Sequence, residues 1–303
     1  MSRNLLALPL AATLLAGPAL ADVPAVAADI APVHSLVARV MAGIGAPALI
    51  VAPGASPHEY SLRPSEATAL QQADVVFWTG PDLTPWMEGA IGSLATGAAV
   101  VPLMEAPGTA TLDMREGAVF EPHAHDDHAG HHGHAQDPHA WLSPDNGAAW
   151  LDAIAATLGA ADPENAGAYR ANAAAGRAEL AALKAEIDGI LRPVRGGSFI
   201  VFHDAYQYFE RAFDMPASGA ISVSSAADPS PARIADIQRR VRERNARCVL
   251  SEPQFNPGII ASVMDGSDAR SGVLDPLGAS LEPGPELYPQ MLRDMAAALA
   301  ACL

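Results

Sequence analysis

Short continuous apolar runs alternate along this chain with longer stretches whose apolar residues recur every three to four positions. Residues 23–45 contain DIAPVHSLVARVMAGIG, apolar at helical spacing with Gly45 near its end, which predicts a helix. His34 falls inside it and is expected to be a helix residue, not a ligand. Residues 47–52, PALIVA, read as a buried strand, which PGASP at 53–57 breaks. A short helix follows over 65–73 with Ser65 as N-cap, then strand 74–78 (DVVFW), helix 81–94 and strand 98–103. The second half repeats the alternation. Strand 198–202 ends at His203-Asp204, and helices 205–213 and 231–245 precede strand 248–250. Helix 257–264, strand 272–274 and a closing helix over 287–301 follow.

Between the halves lie a helix over 144–158 and the longest helical pattern, which starts at Pro163 and ends before Pro193. It is rich in Ala, Glu and Leu. At ~1.5 Å per residue it spans about 40 Å. The expected class is α/β: two similar α/β lobes with mainly parallel sheets, joined by one long rigid helix, with a site in the cleft. The boundaries are an N-terminal lobe over 22–162, a connecting helix over 163–192 and a C-terminal lobe over 193–303.

One stretch has no period. Residues 121–146 read EPHAHDDHAGHHGHAQDPHAWLSPDN and hold seven of the ten histidines. His123, His125, His128, His131, His132 and His134 sit among Gly, Ala and Asp, so the loop over 121–137 is expected to be a mobile arm that collects metal ions. From Asp137 onward, aromatic and proline residues can fix a backbone, and His139 is expected to be a ligand in a built site.

The termini and charge narrow the class. Residues 1–21 carry Arg3, an apolar run broken by Pro9, Gly17 and Pro18, and a small-residue end at Ala19-Leu20-Ala21. That is a secretory signal, with cleavage expected after Ala21 and the mature protein exported to the periplasm. The formal charge of −16 becomes one unit more negative without the leader, which disfavours nucleic acid and tolerates cations. Cys248 and Cys302 form an even pair, read as one disulfide in an oxidising compartment, with a paired zinc site as the weaker alternative.

Three positions stand alike at strand ends: His58 after the first strand, His203 after the strand opening the second half, and Asp275 after a late strand. In open α/β sheets the carboxyl ends of strands line the ligand crevice. Facing lobes would set His58 and His139 against His203 and Asp275. Three imidazoles and a carboxylate make a four-coordinate set suited to zinc.

These residues and their surroundings resemble the cluster A-I metal-binding proteins of bacterial ABC uptake systems, of the zinc type. The carriers are GASPHEYSLRPSE at 54–66, the His-rich loop before DPHAWLSP, VFHDAYQYFE at 201–210, SEPQF at 251–255 and LDPLG at 274–278. The resemblance implies two lobes joined by a long helix, Zn2+ held in the cleft by His58, His139, His203 and Asp275, and delivery to an ABC permease in the inner membrane. It also implies a Cys248–Cys302 disulfide, and the chain is expected to act as a monomer. Some zinc-type members carry a glutamate just before the first ligand histidine. Here Pro57 stands there, which leaves Asp275 or a water as fourth ligand and Glu59 as an alternative. His203, where manganese-type relatives put a carboxylate, favours zinc. Transport without catalysis is the expected function. The rivals are a zinc hydrolase using Glu252 or Glu59 as base, against which stands the absence of HExxH, and a sequestering metallochaperone.

Overall fold

The computed structural model describes residues 23–115, 135–222, 230–243 and 245–303. The leader and the six arm histidines from His123 to His134 lie outside these residues. The N-terminal half runs β1 (Val26–Ala28), α1 (Ala31–Val40), β2 (Ala48–Leu49), α2 (Pro64–Gln72), β3 (Val75–Trp78), α3 (Pro85–Leu94) and β4 (Ala99–Pro102). Its four strands lie in the order β2-β1-β3-β4, all parallel. Two helices follow, α4 (Pro144–Ala161) and α5 (Ala166–Leu191). The C-terminal half runs β5 (Phe199–His203), α6 (Gln207–Phe213), β6 (Ala220–Ser222), α7 (Pro231–Glu243), β7 (Cys248–Ser251), α8 (Pro257–Met264) and β8 (Arg270–Val273), closed by α9 (Leu287–Cys302). Its sheet has the same arrangement, β6-β5-β7-β8, again all parallel. Among the described residues, no helix is long and apolar enough to cross a membrane.

Two strands were absent from the pattern-based expectation. β1 is three buried residues, Val-Ala-Ala, directly ahead of α1. So short an apolar run cannot be told from the helix it precedes. β6 is equally short and lies at a sheet edge. The long helix also starts three residues later than its periodicity suggests. The Asp162 carboxylate accepts from the Asn165 backbone N–H (3.3 Å), the Asn165 amide (2.7 Å) and the Tyr169 hydroxyl (3.0 Å), which holds Pro163 in a turn.

Helix α5 has 26 residues, about 39 Å at ~1.5 Å each. It buries Tyr169, Ala173, Gly176, Leu180, Leu183, Ile187 and Leu191, a stripe at helical spacing. That stripe packs on α4 and α9, and α1 packs on all three. A Cβ at Gly176 would stand 2.8 Å from the Leu151 side chain, so glycine permits the close approach of α5 to α4. The faces of both sheets turned toward these helices share one continuous apolar cluster, from Val26 through Tyr169 and Phe199 to Leu303. The opposite faces each carry a smaller cluster of their own. A disulfide between Cys248 on β7 and Cys302 at the end of α9 fastens the last helix to the second sheet.

Tyr288 on α9 locks this helical layer to the segment after His139. Its backbone N–H donates to Ser35 Oγ (2.9 Å) and its hydroxyl donates to the Trp141 carbonyl (2.6 Å). Gly147 leaves room for it, since a Cβ there would lie 2.5 Å from the Tyr288 hydroxyl oxygen. Gly147→Ala gains helix propensity of at most ~1 kcal/mol, but it must displace a buried, hydrogen-bonded ring. We expect a net destabilisation of about 1–3 kcal/mol, read as a lower urea midpoint with an unchanged slope. A midpoint at or above wild type would show that the ring yields without cost.

Candidate metal centre

His58 lies in the irregular segment between β2 and α2, fastened on both sides. The Trp86 indole N–H donates to the Pro57 carbonyl (2.8 Å). The Tyr60 hydroxyl donates to Glu66 (2.7 Å) and accepts from the Ala52 N–H (3.2 Å), while Glu66 also caps α2 through the Arg63 N–H (2.7 Å). His139 immediately precedes a turn of 3-10 helix over Ala140–Leu142. One oxygen of Asp137 receives both the His139 backbone N–H (3.0 Å) and its Nδ1–H (2.8 Å). His203 is the last residue of β5, and its Nδ1–H donates to Glu252 (2.6 Å), just beyond β7.

With both Nδ1 atoms occupied, the two Nε2 atoms face each other at 3.4 Å. Two nitrogens bound to one tetrahedral zinc at 2.0–2.1 Å stand about 3.3 Å apart, so this separation suits a shared ion. The His58 ring completes the group, with centroids 5.5 Å from His139 and 6.0 Å from His203. One ligand atom from each ring lies within 4.8 Å of the others. Among the described residues, these three form the one group of three or more His, Cys, Asp or Glu able to hold a metal ion. The cavity they line has a volume of about 20 Å³ and also meets Trp141, Glu252 and Gln254. That is room for an ion and about one water.

Burial and neighbours set the proton affinities apart. Burial, reinforced by repulsion from His139 and His203, pushes the His58 imidazole down to about 3. Burial also opposes charge on His203, but the Glu252 carboxylate outweighs it and the pKa lies above the ordinary value. Burial would raise Asp137, yet the hydrogen bond from His139 prevails and lowers it.

The other expected residues are not members of this group. Asp275 is not part of the histidine group. Its oxygens accept from the N–H groups of Leu277 (3.1 Å) and Ala279 (2.6 Å), so it closes the turn after β8 and lines a separate cavity with Met291 and Asp294. Glu59 is exposed. His34 is buried in α1 with Nε2 3.1 Å from the Pro47 carbonyl, far from a ligand role. Only the stem of the arm is described. Asp113 and Gln136 form an antiparallel bridge, and Arg115 pairs with Asp204 and, at 2.9 Å, with Glu210 of the opposite lobe. The orienting carboxylates Asp137 and Glu252 were missed as such. Asp137, two residues before His139 in DPH, had a local signal; Glu252 had none, because its partner is 49 residues away.

The family model described as the periplasmic zinc-uptake complex component A, ZnuA, matches residues 26–302. The chain is 44% identical to the high-affinity zinc uptake system protein ZnuA of Brucella abortus (strain 2308), over 92% of this chain and 91% of that protein. It is 42% identical to the protein of the same name from Paracoccus denitrificans (strain Pd 1222), over 94% of each. A crystal structure of ZnuA superposes with a TM-score of 0.77 at 26% identity, covering 93% of this chain and 99% of the other.

In the metal-free protein, an NMR titration should find His203 protonating before His58 as the pH falls, with His58 neutral until about pH 3. An imidazole with a depressed folded pKa refuses a proton that the unfolded chain accepts at about 6.5. Stability is therefore lost as pH drops below that value. His58→Gln should remove this acid-side loss between about pH 6 and 4. Parallel stability curves for variant and wild type would show that His58 is not held neutral.

Proposed function

The chain belongs to the zinc-uptake complex component A family, and we propose that it captures Zn2+ between its lobes and delivers the ion to an ABC-type permease of the inner membrane. His58, His139 and His203 are the inner ligands in this reading. The observation that carries it is the pair of Nε2 atoms held 3.4 Å apart, each with its far nitrogen fixed by a carboxylate. Such partners fix the tautomer and raise the basicity of a ligand imidazole. Three nitrogen donors suit zinc over manganese. The two carboxylates behind the rings offset the ion's charge without touching it.

Asp275 supports the site from its turn and is not counted among the inner ligands. The leader over 1–21 exports the chain to the periplasm, where the Cys248–Cys302 disulfide is at home. The arm from His123 to His134 acts as a weak, tethered collector beside the cleft. The protein works as a monomer and without catalysis. A hydrolase would need space for an organic substrate and a free general base. The engagement of Glu252 with His203 speaks against one.

A competition titration tests the ligand set. His58→Ala, His139→Ala and His203→Ala should each weaken zinc binding by more than about 100-fold, whereas His34→Ala and Asp275→Ala should retain tight binding. Three histidine variants binding as wild type would end the assignment. Calorimetry on a protein lacking residues 123–134 should show the extra weak sites gone and the tight site intact. Loss of the tight site with the arm would instead make the arm a source of inner ligands.

A further inference from the structure

Gln254 lines the histidine cavity, between Glu252, which holds His203, and Phe255, whose ring stacks on Phe202 at 4.3 Å and meets His203 edge-on at 5.6 Å. Both polar atoms of its amide are buried, and neither has a hydrogen-bond partner. The other unpaired buried side-chain atoms among the described residues are single ones, His34 Nδ1 and Thr79 Oγ1. Buried polar groups are almost always hydrogen-bonded, and an orphan costs the fold its full desolvation penalty. A donor and an acceptor left idle together beside three converging imidazoles call for a ligand able to use both.

The donor set leaves one such place. Tetrahedral zinc takes a fourth ligand beyond three imidazoles. Among the described residues no carboxylate joins the three histidines, and those nearby already accept hydrogen bonds: Asp137 from His139, Glu252 from His203, and Asp275 from two backbone N–H groups. Pro57, before His58, offers no side-chain donor, and Glu59 is exposed. The cavity has room for about one water beside the rings.

We propose that Gln254 is the positioning residue for the fourth zinc ligand, a water bound to the ion and hydrogen-bonded to the Gln254 amide. This rests on the three-histidine reading above. Oε1 accepts a proton of the zinc-bound water, whose acidity the ion enhances, and Nε2–H donates to its oxygen or to a neighbouring water. The amide is neutral, so the bound ion keeps its full double charge within the inner shell, where a carboxylate ligand would cancel part of it. The fourth position is then the exchangeable one, by which zinc first enters and last leaves.

The unpaired amide makes a structural role and a ligand-holding role predict opposite signs. Gln254→Leu keeps the size of the side chain and removes both polar atoms. If the amide serves the ion, the metal-free variant unfolds at a higher temperature than wild type, because two orphaned groups are gone. Its zinc affinity falls about 10-fold in competition titration, and the visible bands of the Co2+-loaded protein change in position or intensity. Gln254→Glu, which keeps an acceptor at the same reach, should bind within about threefold of wild type or tighter. Wild-type affinity and an unchanged cobalt spectrum in Gln254→Leu would overturn the proposal, as would a lower unfolding temperature with unchanged affinity. His139→Ala, titrated alongside, separates the two levels. If it is impaired while Gln254→Leu is not, only the role of Gln254 fails. If it binds as wild type, the three-histidine site itself fails.

Discussion

The Nε2 atoms of His139 and His203 face each other at 3.4 Å, and the rest of the site follows from holding them there. With neither a proton nor a cation between them, two such nitrogens would repel, and the rings would be free to turn apart. Two carboxylates prevent the turn by holding the opposite ring nitrogens, Asp137 at 2.8 Å and Glu252 at 2.6 Å. Burial of both rings removes the water that would otherwise solvate the lone pairs. A proton or a cation between the two nitrogens satisfies both, so the arrangement is ready for an ion that displaces the proton.

The two rings belong to opposite halves of the chain, so their spacing is only as firm as the contact between those halves. That contact is a core and not a linker: the apolar cluster runs without a break from the first strand to the last residue, along the stripe of α5. Polar ties sit near the site on top of it. The Trp141 indole donates to the Pro276 carbonyl (2.8 Å), the Tyr208 hydroxyl donates to the Asp137 carbonyl (2.8 Å), and Arg115 joins the arm's stem to Asp204 and Glu210. A shared core favours small adjustments over wide hinge opening. His58, on a loop and only half-buried, is the ligand best placed to move.

The proton affinities divide the same labour. His58 is kept neutral by burial and by its neighbours, so protons do not compete for it at moderate acidity. His203 is drawn the other way by Glu252, which makes it the ring with the stronger hold on a proton and, by the same electrostatics, on a cation.

The sequence alone determined the class and most of its parts. Periodicity located the long helix and most strands; the segments after two of those strands held His58 and His203, and the ordered stretch DPHAW held His139. Local chemistry suffices for this, because helix stripes and strand runs are written in neighbouring residues. It could not register β1 or β6, each three residues long. Asp275 follows a strand as a ligand would, and only the tertiary structure shows that its oxygens also accept from the backbone N–H groups of Leu277 and Ala279. The same holds for Glu252 and Gln254, adjacent in effect and both in SEPQF, one bonded to His203 and the other unpaired. Which side chain orients, which binds and which waits for a ligand depends on what lies across the cleft, and that partner is set by the packing of two sheets against one shared layer of helices.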